Sequence, residues 1–172
     1  MNKAARTLAA GVAVAALALT GCANSPADAA TVNGVRIADT TVREVAQILG
    51  SAPGADSSMV MKQATFDLLM GEASRQIAAS TGTTIKASDQ SGLMAQYPAV
   101  GAVAQNPQGK PWVDAVTASY LVHEQLGAEK FLEELNKVDI TVNPRYGQWA
   151  TNAGGFVDGS LSRMADPTTL RR

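Results

Sequence analysis

The tightest constraint on this fold is Asn33-Gly34, set between two short β-branched runs, Thr31-Val32 and Val35-Arg36-Ile37. An Asn-Gly pair favours a two-residue turn with positive φ at both positions, and such a turn joins antiparallel strands. Two strands alone are marginal in water, so a third strand or a helix must cover them. Val138 to Val142 (VDITV) alternates like a strand and is the natural third member. Pairing these distant segments draws the two ends of the folded region together. Most of what lies between them reads as helix.

Asp39 or Thr40 is positioned to cap a helix running to about Leu49, with Val42, Val45, Ala46 and Leu49 on one face. Residues 50–57 (GSAPGADS) read as a loop. Ser57 or Ser58 is expected to cap a longer helix that reaches about Ser80 and stops before Gly82. It carries two apolar stripes, Phe66-Leu69-Met70-Ala73-Ile77 and Val60-Met61-Ala64-Leu68. A surface helix needs only one stripe, so this one packs centrally or offers a stripe to a partner. A helix capped by Ser88 or Asp89 holds Leu93, Met94 and Tyr97 and ends at Pro98. Residues 99–110 read as loop or short helical turns. Pro111 suits the first turn of a helix reaching about Lys137, with Trp112, Val116, Tyr120, His123, Gly127 and Phe131 along one face. Gly127 marks a kink or break in it.

The chain begins with a short positive start, Lys3 and Arg6, followed by an apolar run from Leu8 to Leu19. That run is shorter than the ~20 residues a membrane span needs and fits the middle of a signal peptide. Its end, Leu19-Thr20-Gly21-Cys22, resembles the lipobox of bacterial lipoproteins. The resemblance implies lipidation of the Cys22 sulfur and cleavage after Gly21. Residues 1–21 are then the leader, 22–30 (CANSPADAA) a flexible tether, 31–149 the folded domain and 150–172 an irregular tail. Cys22 is the one cysteine, so a disulfide within the chain is impossible and a structural zinc site is not expected. Removing the leader lowers Lys+Arg from 14 to 12 against 15 acids, a balance that gives no case for nucleic acid.

The order of elements resembles a known group. Residues 30–39 (ATVNGVRIAD) are similar to the opening of SurA-type chaperone domains: strand, turn, strand, helix. Residues 65–89 (TFDLLMGEASRQIAASTGTTIKASD) look like the next signature of that group. Residues 138–149, with Asn143-Pro144-Arg145-Tyr146-Gly147, look like the closing strand of SurA-like actinobacterial lipoproteins. The resemblance implies a mainly α fold: a helical domain like the SurA N-terminal domain, closed by a small sheet of an N-terminal hairpin and a C-terminal strand. The substrate-binding portion of trigger factor shares that architecture. It further implies a membrane-tethered, extracytoplasmic chaperone or assembly factor for exported polypeptides, or an adaptor docking one cell-envelope protein. The parvulin isomerase domain of the larger members has no room here, so no catalysis, cofactor or metal is expected.

Candidate chemistry is sparse. His123 is the only imidazole and reads as a boundary histidine. Glu124, Glu133 and Glu134 read as a solvated helix face. Thioethers adapt to irregular apolar partners, so the methionines carry the binding expectation. The candidate polypeptide-binding residues are Met61, Leu68, Met70, Leu93, Met94 and Tyr97. Residues 143–149 are expected to cap the sheet, with Tyr146 and Trp149 packed onto helices.

Overall fold

The computed structural model describes residues 27–51, 56–150 and 154–157. The leader, the lipobox and residues 158–172 lie outside the described residues. The fold is mainly helical with a small antiparallel sheet, as expected. In chain order the elements are β1 (Asp28–Val32), β2 (Val35–Ala38), α1 (Asp39–Leu49), α2 (Ser57–Thr81), α3 (Ala87–Gln96), α4 (Pro98–Ala104), α5 (Lys110–Leu126), α6 (Ala128–Leu135), β3 (Ile140–Val142), β4 (Gln148–Ala150) and β5 (Gly155–Val157).

The hairpin forms at Asn33-Gly34, with φ of 46° and 81°. β3 pairs antiparallel with β1, giving the order β2-β1-β3. Strand β1 starts earlier than expected, inside the segment read as tether, because Ala29 and Ala30 bury completely or nearly so beneath the helices. The Asn143-Pro144-Arg145-Tyr146 turn locks the two ends. Asn143 donates its backbone N–H to Ala29 O at 2.9 Å and its side-chain amide to Asp28 O at 3.1 Å. Tyr146 is buried and donates its hydroxyl to Asp39, which also accepts from Arg43 and Arg145, each at 2.7 Å. Burial alone would raise the Asp39 pKa. The Tyr146 and Arg43 hydrogen bonds, with the charges of Arg145 and Arg43, outweigh it and hold the group below its ordinary range.

Several caps differ from expectation. Asp39 is the first residue of α1, where its carboxylate faces the guanidinium groups instead of the helix N–H groups. Helix α2 is capped by Asp56, which accepts from the N–H of Ser58 and Met59 and stops competition from the serines. For α3 the cap position is Lys86, and Asp89 reaches back to accept its N–H at 3.2 Å. Pro98 ends α3 by opening α4, since a proline at the first helical position loses no hydrogen bond. Gly127 (φ 77°, ψ 160°) fully separates α5 from α6.

Helix α2 is the central element and buries both stripes to different depths. Leu68, Leu69, Met70, Ala73 and Ile77 are core, while Val60, Met61 and Phe66 pack half-buried around it. Its main partner is α5, and here the expected face of α5 is corrected. The buried residues are Val113, Ala115, Thr117, Ala118 and Val122; Trp112, Val116 and Tyr120 are half-exposed and His123 exposed. The reason is close approach: a Cβ at Gly71 would lie only 2.8 Å from the carbonyl carbon of Ala115, so only small residues fit this crossing.

One short stretch of the segment expected to be irregular is a strand. Gly155–Val157 forms β5 against β4, and the Phe156 ring meets Trp149 edge-on at 5.9 Å and lies tilted at 6.3 Å from Phe66. Aromatic burial thus orders a stretch whose glycines suggested irregularity.

Candidate functional site

An open cleft of about 850 Å³ lies between the sheet and helices α1, α2, α3 and α5. Strand β2 forms one wall through Arg36, Ile37 and Ala38, continued by Thr41 of α1. Helix α2 contributes Leu68, Glu72 and Arg75. The opposite wall is the start of α3 with Lys86, Ala87 and Gln90, and the start of α5 with Lys110, Pro111 and Asp114. Ile85, Pro107 and Ala118 add apolar surface between these groups.

The β2 wall is a free sheet edge. Among the described residues β2 pairs with β1 alone. Bonded and non-bonded pairs alternate along an antiparallel ladder, and a two-residue turn makes Val32–Val35 a bonded pair. Arg36, opposite Thr31, therefore turns its N–H and C=O away from β1 at the free edge, and the same residue is part of the cleft lining.

The rim is charged. Arg36 pairs with Asp28, and Arg75 with Glu72, each at 3.0 Å. Asp114 accepts from Lys110 at 2.5 Å and from the Gln90 amide at 2.8 Å. Burial pushes the Asp114 pKa up, but these two hydrogen bonds and the charges of Lys110 and Arg75 bring it below its ordinary value. The carboxylate thus stays ionised and ties the first turn of α5 to α3. Thr117 lines the cleft at 2% exposure, and its hydroxyl has no hydrogen-bond partner among the described residues.

A second concavity of about 590 Å³ follows β3, with Ile140, Val142, Tyr146, Trp149, Lys62 and Arg145 around it. On the other side of α2, Asp67 accepts from the Trp112 indole and the Gln63 amide, both at 2.7 Å. Burial raises its pKa more than these neutral donors lower it.

The six binding residues expected from sequence are not gathered on one surface. Leu68 alone among them lines the large cleft. Met70 and Leu93 are buried, and Met61 packs half-buried against the core. Met94 is half-buried on α3, and Tyr97 is 42% exposed with its ring edge-on to Tyr120 at 5.9 Å. Met59, at 70%, is the most exposed large apolar side chain described. Cys22 lies outside the described residues. His123 packs its ring against Phe131 at 5.3 Å, and Glu133 and Glu134 pair with Lys130 and Lys137. No group of three or more His, Cys, Asp or Glu among the described residues is placed to hold a metal ion. No described helix is long and apolar enough to cross a membrane.

Sequence reasoning missed Arg75, Lys86, Lys110, Asp114 and Thr117. A signal for part of this set was present: Lys86 and Lys110 sit at helix starts, where cations oppose the helix dipole and earn no local stabilisation.

No family model matches the chain, and neither a curated protein nor a solved structure matches it.

Proposed function

We propose that this chain is a membrane-tethered, extracytoplasmic polypeptide-binding protein, a chaperone or assembly factor that acts without covalent chemistry. A client segment in extended form enters the large cleft and adds to the sheet along β2. The observation that carries this reading is the free edge of β2 forming a wall of an apolar-floored cleft. Strand addition supplies main-chain hydrogen bonds that do not depend on client sequence, while Ile37, Leu68 and Ile85 receive alternate side chains. Tethering follows from Leu19-Thr20-Gly21-Cys22: a diacylglyceryl group carries two acyl chains, enough for stable anchoring. Five residues, and so six chain steps, separate Cys22 from Asp28, a reach of roughly 20 Å at most, so the domain works close to the bilayer.

The chain from Ala23 onward, which contains the whole described fold, is expected to suppress aggregation of several unfolded model proteins at modest molar excess. Arg36→Pro removes the outward N–H of β2 and is expected to abolish suppression while circular dichroism stays unchanged. Suppression that survives this change refutes strand addition, and no suppression of any client refutes the chaperone reading. Pull-down from envelope extracts separates the adaptor alternative: one stoichiometric partner supports it, many substoichiometric ones support the chaperone. Mass spectrometry of the native protein checks the anchor, and an unmodified Cys22 sinks it.

A further inference from the structure

We infer that the segment this cleft receives is acidic: the site is built to hold carboxylates along an extended chain. The inference rests on the polypeptide-binding reading and specifies its client.

Charge is the first argument. The whole chain carries a formal net charge of -1, yet the cleft is lined by Arg36, Arg75, Lys86 and Lys110 against only Glu72 and Asp114. A locally positive trough on a nearly neutral chain attracts a complementary acidic segment. Arg36, Arg75 and Lys110 are partly neutralised by Asp28, Glu72 and Asp114. Lys86 forms no ion pair among the described residues; the nearby Asp89 carboxylate is engaged by the Lys86 backbone N–H and the Ser88 hydroxyl.

Helix placement is the second argument. Helices α3 and α5, of 10 and 17 residues, both begin at this cleft, so two positive dipole ends add to the lysines. Cations at helix starts are unfavourable unless an anion offsets them; Lys110 has Asp114, and Lys86, with no ion-pair partner among the described residues, is the one left for a client carboxylate.

The third argument is the Thr117 hydroxyl, which is independent of charge. Thr65 and Thr81 on α2 give their hydroxyls to the carbonyl one turn back, at 2.8 and 2.7 Å. Thr117, equally helical and 2% exposed, makes no such bond although it lines the cleft. Its oxygen is shielded from solvent in the empty protein, so an acceptor oxygen reaches it only when the cleft wall shifts on binding, and pairing then relieves an unfavourable buried hydroxyl.

The test uses fluorescence anisotropy with three labelled ten-residue peptides that alternate Val with Glu, Gln or Lys. The Glu peptide is expected to bind at least tenfold more tightly than the Gln peptide at low salt, with the advantage shrinking as salt rises. Lys86→Gln with Lys110→Gln is expected to erase the Glu advantage and leave the Gln peptide unaffected. If that pair disturbs folding, Arg75→Gln makes the same test on α2. Thr117→Val is expected to raise the melting temperature yet weaken Glu-peptide binding severalfold; unchanged affinity refutes the role given to the hydroxyl. Equal binding of Glu and Gln peptides overturns the acidic-client inference and leaves polypeptide binding standing. Binding of none of the three overturns both. Lysine-dependent binding to phosphatidylglycerol vesicles, with no peptide binding, assigns the positive trough to lipid and overturns the inference.

Discussion

Gly71→Ala is the substitution whose outcome follows most directly from the packing. A methyl group there would press into the Cα and Cβ of Ala115 and lie 2.8 Å from its carbonyl carbon, inside the 3.0 Å that real side chains respect. The obstacle is backbone, so rotamer change offers no relief. Helices α2 and α5 must part by roughly 1 Å, which loosens Leu68, Ser74 and Val122 along the seam. Overpacking of this kind costs about 1–3 kcal/mol, and a backbone obstacle belongs at the upper end. Alanine returns about 1 kcal/mol of helix propensity. The net expectation is a loss of about 2 kcal/mol, a fall of roughly 6 °C in melting temperature for a domain this size. Urea unfolding followed by circular dichroism measures it. Gly92→Ala is the control: α3 leaves nothing within 4 Å of that methyl, so the same change is expected to stabilise by about 0.5–1 kcal/mol. If both variants shift stability in the same direction, the account of the α2–α5 seam is refuted.

Tyr146→Phe removes one donor to Asp39 and is expected to cost about 1.5–3 kcal/mol in urea unfolding. Asp39 titrates below its ordinary value of 3.8 in the fold, so its stabilisation is present above that value and lost as pH falls through the folded pKa. Tyr146→Phe is therefore also expected to move the acid-unfolding midpoint upward. Asp67 behaves in the opposite sense: burial raises its folded pKa, so its ionised form weakens the fold at neutral pH. Asp67→Asn is expected to match or exceed the native stability at pH 7 and to lose that advantage as pH falls through the raised pKa towards 3.8, read by melting temperature across pH. Gly127→Ala meets no neighbour within 4 Å but must hold φ 77° and ψ 160°, so unfolding experiments are expected to show a loss of about 1–3 kcal/mol from backbone strain alone.

Local signals of turn and period carried well from sequence to structure. Asn33-Gly34 specified its own backbone, and the alternation of Val138 to Val142 named the strand that closes on β1. Hydrophobic size is a poor guide to the buried face of α5. At a close helix crossing the space goes to Ala115 and Ala118, and Trp112 is displaced to the margin, where its indole N–H reaches Asp67. No one-dimensional period carries that information, since it depends on a glycine 44 positions away on another helix. The caps failed for a related reason. Asp39 had two uses open to it, and the tertiary partners Arg145 and Tyr146 won over its own helix.

The same reasoning explains why the cleft was invisible among the methionines and leucines. An apolar stripe on a helix is first claimed by the core, and α2, lying centrally, buries Leu68, Leu69, Met70, Ala73 and Ile77 there. Surface left for a client must come from elements that the core does not need. Here these are the outer edge of β2, the first turns of α3 and α5, and the long side chains around them. The position of those first turns depends on the Gly71–Ala115 crossing, because α5 carries Lys110, Asp114 and Thr117 as one rigid wall. Gly71→Ala is thus expected to weaken peptide binding as well as the fold, whereas Tyr146→Phe, acting on the clasp between the chain ends, is expected to weaken the fold alone. Peptide affinities of the two variants, measured where both remain folded, test whether seam and cleft are mechanically one unit.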